Sequence, residues 1–253
     1  MRLAPIGAVT GTLLDFSASD DFPTTGPATG SSGNPFTPGS YLQAAPMDAI
    51  DTGSNVPNWG LSELLYAVST SASTFAPGTL VHIDKDSVIS TVPATVRTGR
   101  PVYVVLTAFS AGNVTRQGGW LLRSGIAPVT YSVAATAGQM YVGTAGNATP
   151  TLAAGLQILN ATCLIAAASA FTRSVTSQNG SKFIKTSRVN GIFIGQTISG
   201  AGISGVVASI DPGGAGFTSS VASTATATVT ATFTPTGFGI CQVDRAFTQG
   251  NIT

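Results

Sequence analysis

Charge is what this sequence has least of. Only 8% of its 253 residues are Asp, Glu, Lys or Arg, against about 25% in an ordinary soluble domain. A surface so thinly charged is a solubility hazard for a free monomer, and it makes sense where neighbours cover much of it. One histidine and one glutamate, Glu63, leave little acid–base equipment for an enzyme. The two cysteines, Cys163 and Cys241, are far apart and sit among apolar residues. They read as two buried free thiols rather than a disulfide, and neither has metal-ligand spacing. The longest apolar run, residues 163–168, is far too short to span a bilayer. Met1 is followed by RLAPIGAVTG, which has no long apolar core, so no signal peptide is expected. The expectation is a chain made and assembled in the cytoplasm, with no membrane partner.

Glycine, alanine, serine and threonine fill the space that charge leaves, with valine and isoleucine as the main larger apolar residues. β-Branched residues favour strands and glycine favours turns, so an all-β protein is expected, in the form of a small β-barrel or sandwich. The net charge of +1 hides an asymmetry of −5 before residue 76 and +6 from there on, which hints at contacts between regions or subunits.

Residues 1–58 read as an extended N-terminal arm, interrupted by Pro5, Pro23, Pro27, Pro35, Pro38, Pro46 and Pro57. Phe16, Phe22, Phe36 and Tyr41 are isolated large side chains in a segment with no core-building period. They are expected to anchor an arm that is disordered in the free subunit and orders on assembly. A first β domain is expected over 59–171, led by one short helix. Asn58 would cap that helix, and Leu61, Leu64, Leu65 and Val68 share one helical face. From there TLVHID, SVIST, PVYVVLTAF, GWLLRSG, APVTYSV, QMYVGT and GLQILNATCLIAAA alternate with Pro-Gly, Thr-Gly, Ala-Gly and Gly-Asn turn signals. A second β module is expected over 172–236 from FIKTSR, IFIGQTIS, GVVASI and TATATVTATFT, the last with Ala and Thr on opposite faces. The C-terminal 237–253 carries Ile240, Val243 and Phe247 and is expected to return to the first domain as a strand, which makes the second module an insertion.

The motifs that could carry chemistry favour plainer readings. Gly200-Ala201-Gly202-Ile203-Ser204-Gly205 is a literal GxGxxG, but a strand-like VVASID follows where a dinucleotide site needs a helix. Its glycines suit a strand-connecting loop, and no cofactor is expected. His82 has no GxSxG elbow to serve and too few companion ligands for a metal, so it reads as a hydrogen-bonded strand-edge histidine. Asp84 and Asp86 lack the further oxygen ligands of a calcium loop and read as a polar turn. Arg97, Arg100, Arg116 and Arg123 cluster around turns. Weak basicity and few interleaved aromatics argue against nucleic acid, so these arginines are expected to meet carboxylates of a neighbouring subunit. Five Asn-x-Ser/Thr matches are expected by chance in so Ser/Thr-rich a chain.

Two stretches resemble structural proteins of tailed-bacteriophage virions. The first is PGTLVHIDKDSVISTVPATVRTGRPVYVVLTAF, followed by GGWLLRSGIAPVTYSVAATAGQMYVGTAGNATP. It is similar to the small barrel of head decoration, or capsid-stabilising, proteins. The second, VNGIFIGQTISGAGISGVVASID, resembles Ig-like modules of phage structural proteins. Its pattern falls on Gly195, Ile198, Gly200, Gly202, Ile203, Gly205, Val207, Ile210 and Asp211. The resemblance implies a non-catalytic virion protein, a capsid decoration (cement) subunit whose partners are the major capsid protein and copies of itself. It implies a homo-oligomer. The alternatives are a phage tail, collar or fibre-anchoring component and, from another class, a secreted carbohydrate-binding or adhesin module.

Overall fold

In the computed structural model, the residues described are 3–5, 20–22, 38–46, 61–70, 74–95, 98–109, 116–151, 156–166, 170–189, 191–211, 214–235 and 237–249. All regular structure among them is β. The first strands are β1 (Leu3–Pro5), β2 (Asp20–Phe22), β3 (Tyr41–Pro46), β4 (Ser62–Ser69), β5 (Leu80–Ile83) and β6 (Ile89–Thr91). Then come β7 (Tyr103–Val105), β8 (Arg116–Thr130), β9 (Gly138–Val142), β10 (Ala148–Thr149) and β11 (Gln157–Ile165). Six strands follow: β12 (Phe171–Ser177), β13 (Phe183–Lys185), β14 (Thr197–Gly200), β15 (Ile203–Ile210), β16 (Gly216–Ser219) and β17 (Ala227–Thr234). The last is β18 (Phe238–Thr248).

Twelve strands form one curled antiparallel sheet with the main order β1-β3-β4-β8-β18-β11-β9-β10. β2 and β7 also pair with the long β8, and β5 links β7 to β6. The curl brings distant strand ends together through isolated bridges, Tyr131 to Ala148 and Pro101 to Phe247. The centre of the sheet is buried on both faces. Leu64, Tyr66, Val68, Trp120 and Leu122 belong to one apolar cluster. Their chain neighbours Leu65, Ala67 and Leu121 belong to another, with Phe75, Val81 and Phe109.

That double burial corrects the helix expected around Leu61, Leu64, Leu65 and Val68. Residues 62–69 are β4, paired with β3 on one side and β8 on the other. A strand covered on both faces carries a nearly continuous apolar run and loses the alternation that would mark it as a strand. The helical spacing was incidental, and Leu61 lies outside the strand and exposed.

The residues assigned to the arm also contribute strands. Tyr41–Pro46 pairs with β4, so Tyr41 stands in the sheet rather than in a segment with no fold of its own. The backbone of β1 pairs with β3, and that of β2 with β8, where Phe22 is the register partner of Arg116. Phe16 and Phe36 lie outside the described residues.

β12 to β17 close into a six-stranded barrel in the order β12-β13-β16-β15-β14-β17. The module expected to be Ig-like is thus a single closed ring of strands. Val175, Ile184, Ile198, Val207, Phe217, Ala231 and Phe233 fill its interior. In β17, Thr228 and Thr230 face outward while Ala231 and Phe233 face in, the period-2 pattern of a strand with one wet face. The GxGxxG segment is the β14–β15 hairpin: Gly200 pairs with Ile203, and Gly202 takes the turn at φ +72°. Only glycine adopts that conformation without a steric cost.

β18 lies between β8 and β11, so the barrel is inserted between two neighbouring strands of the large sheet. The junction is apolar. Phe193 of the β13–β14 loop meets Phe238 edge-on at 5.2 Å, beside Ile240, Ile126 and Ile165.

Candidate interaction site

Three local irregularities converge where β3, β4, β8 and β18 meet. The β4–β8 register jumps from Glu63–Ser124 to Leu64–Leu122, which leaves Arg123 as the extra residue of a β-bulge. A bulge bends its strand and re-aims a side chain, and such features gather at functional sites. Arg245 sits in β18 with φ +48°, and Asn160 of the facing β11 has φ +59°. Both lie where the β11–β18 register shifts, between Leu159–Phe247 and Ala161–Val243. Non-glycine residues in this region cost of order 1 kcal/mol or more, and they persist only where the surroundings hold them.

The side chains explain what the irregular backbone presents. Arg245 donates two hydrogen bonds to Glu63, from Nη2 to Oε1 at 2.8 Å and from Nε to Oε2 at 3.2 Å. Arg123 approaches the same carboxylate at 3.8 Å, and its guanidinium lies 4.7 Å from the centroid of the Tyr41 ring. The hydrogen bond from Arg245 holds the Glu63 carboxyl below its ordinary range against the opposing effect of burial, and the positive charges of Arg245 and Arg123 add to it. Ser124 donates to Asp244 at 3.1 Å on the same edge. Tyr103, in β7 beside β8, has its pKa pushed up to about 12, first by burial and then by its neighbour Tyr41. Tyr41, Leu42, Gln43, Glu63 and Arg123 line a shallow depression of about 150 Å³.

Arg123 and Arg245, with Glu63 and the neighbouring Asp244, make a compact charged cluster beside a 56%-exposed tyrosine. Arg and Tyr are the residue types that most often dominate protein–protein binding energy, so the arrangement suits an anchor for another protein surface.

Of the eight residues expected to make contacts, the structure brings Tyr41 and Arg123 together. Within the chain, Arg123 lies 3.8 Å from the carboxylate of Glu63. Arg100 is exposed at the C-terminal end of β18, where its carbonyl accepts from the Thr248 amide at 3.0 Å. Arg116 is described through its backbone alone, and Arg97 lies outside the described residues. Sequence reasoning passed over Glu63 and Arg245. The one available signal was that Glu63 is the sole glutamate of a charge-poor chain.

The other residues weighed for chemistry are structural in their contacts. Asp84 accepts from the amides of Asp86 and Val88 at 2.9 and 2.8 Å, closing the β5–β6 turn. His82 is 2% exposed. Its Nδ1–H donates to the Pro101 carbonyl at 2.7 Å, and its Nε2 accepts from Thr98 at 3.3 Å. Thr98 in turn meets Thr248 of β18 at 2.9 Å. Burial lowers the His82 pKa and the charge of Arg100 lowers it further, against the opposing pull of the Pro101 carbonyl.

The sign of the pH dependence follows. An unfolded histidine takes up a proton near pH 6.5, while the folded site resists it. Stability from this group is therefore complete above about pH 6.5. It falls on acidification by up to about 1.4 kcal/mol per pH unit, until the folded site also titrates. Urea midpoints measured from pH 8 to pH 5 should show this loss, and His82→Gln should flatten it. An equal slope in both proteins would place the acid sensitivity elsewhere.

No protein-family model matches the chain, and no curated protein and no solved structure matches it either.

Proposed function

We propose that this protein is a non-enzymatic structural subunit of a tailed-bacteriophage particle, a capsid decoration protein that docks on the major capsid protein and on copies of itself. The Tyr41–Arg123–Glu63–Arg245 cluster is the observation that supports docking most directly. It couples an exposed aromatic ring to two guanidiniums held on an irregular backbone. The decoration-like stretch from Pro77 to Pro150 supports the choice of a phage head, and the scarcity of charge supports a surface covered by neighbours. On this reading the subunit is made in the host cytoplasm, takes its place in the virion and stabilises the shell mechanically.

The test uses particles assembled with and without the protein. Complete particles should retain their DNA to a higher temperature than particles lacking it. Tyr41→Ala and Arg245→Ala should each lower occupancy at limiting subunit concentration by about tenfold, the effect of losing an interface anchor worth about 1.4 kcal/mol. Equal thermal release, with the subunit located at the tail, would replace the head assignment with a tail, collar or fibre-anchoring role. Absence from particles altogether would overturn the virion reading.

A further inference from the structure

Cys163 and Cys241 are separated by a whole barrel in sequence and stand opposite each other in the fold. They are register partners in the antiparallel β11–β18 pair, flanked by Thr162–Gln242 and Ile165–Ile240. Directly opposed residues of an antiparallel pair project from the same face with Cα atoms about 4.5–5.5 Å apart. That spacing lies inside the window of about 4.4–6.8 Å that a disulfide requires. Both thiols are free and buried, at 1% and 0% exposure. The surroundings keep them in register. Gly239 leaves room for the Cys163 sulfur, since a Cβ there would lie 2.9 Å from Sγ, and the Tyr131 hydroxyl lies 3.6 Å from the Cys241 sulfur.

We infer that Cys163 and Cys241 form an oxidation site, a thiol pair that a small peroxide converts within the folded subunit into an intrachain disulfide across β11 and β18.

The two thiols divide the work. The hydrogen bond from Cys241 lowers the Cys163 pKa against the opposing effect of burial, and the Tyr131 hydroxyl adds to the lowering, whereas burial raises that of Cys241. Cys163 is thus the first to become the thiolate that reacts. Its sulfur attacks one oxygen of hydrogen peroxide and the O–O bond breaks. Hydroxide leaves and takes up a proton to become water, and Cys163 is left as a sulfenic acid. Cys241 then loses its proton and attacks that sulfur. The S–O bond breaks, hydroxide leaves and is protonated, and the S–S bond forms. Two thiols and one peroxide give one disulfide and two waters. The product closes a loop containing the entire barrel, and closing a long loop removes much entropy from the unfolded chain.

The experiment treats the full-length native protein with dilute hydrogen peroxide and reads intact mass, thiol count and peptide maps without reduction. The expected result is a loss of about 2 Da, both thiols gone and one peptide pair joining Cys163 to Cys241. Thermal unfolding should rise by roughly 5–15 °C and return to its starting value on reduction. Cys241→Ser should stop at oxygen adducts on Cys163, because no resolving thiol remains. The wild-type mass alone decides the matter even where that variant folds poorly. Both thiols intact after treatment, oxygen adducts without the 2 Da loss, or disulfides only between chains would each overturn the inference.

Discussion

Replacing Gly216 with alanine is expected to open the barrel. Gly216 is paired with Lys185 across β13 and β16, and a Cβ at this position would run into the carbonyl of Ile184. The obstacle is backbone, so no rotamer change relieves it. Either β13 and β16 move apart or the strand twists out of register. The ring has six strands and no redundancy, so one failed pairing leaves two open edges and lets water reach Phe217 and Phe233, both fully buried. The cost should be about 3 kcal/mol or more, at the upper end for inserting a single methyl group. Both tryptophans, Trp59 and Trp120, lie outside residues 171–234. The fluorescence of Trp120, in β8, therefore reports the large sheet, and amide exchange reports the barrel. Gly216→Ala should abolish slow exchange in β13 to β17 while leaving the fluorescence transition in urea much closer to wild type. Unchanged protection in the barrel would show that β13 and β16 tolerate the extra atom.

The second large effect belongs to the sheet. Trp120 is 1% exposed in β8 and meets Tyr66 of β4 edge-on at 5.1 Å, in the cluster that also holds Leu64, Leu122 and Val104. Truncation to alanine removes the largest side chain in that cluster and leaves a hole that neighbouring strands, packed on both faces, cannot collapse to fill. A loss of about 3–5 kcal/mol is expected, a large share of the roughly 5–15 kcal/mol that holds a typical protein folded. Urea unfolding followed by far-UV circular dichroism measures it. A shift below about 1 kcal/mol would mean that this face of the sheet is not packed as described.

Much of this architecture can be read from residues. Glycine-rich turns between short β-branched runs led to an all-β chain, and in the segment 224–234 the alternation of Ala and Thr became the alternating faces of β17. β4 was misread for a physical reason, since periodicity reports a strand only when one face is wet. The interaction site was harder still. Tyr41 and Arg123 were singled out for unrelated reasons, one as an anchor and the other as a cation. What joins them is a bulge in β8, and a bulge leaves no mark on the spacing of apolar residues. Arg245 reaches Glu63 across 182 positions of sequence. Cys163 and Cys241 are the two buried free thiols that their apolar surroundings led one to expect, but nothing in the sequence signals that an inserted barrel returns them to opposing positions.

That return has a consequence for how such a protein can change. The chain leaves the sheet at Ile165 and resumes near Ile240, and these two residues are themselves register partners. The sheet specifies only that whatever is carried between them must begin and end side by side. A gene can lengthen, shorten or exchange the intervening segment without altering a single pairing of the host sheet, provided the apolar seat at Phe238 and Ile240 stays covered. The β11–β18 pair therefore acts as a fixed socket from which the barrel is carried.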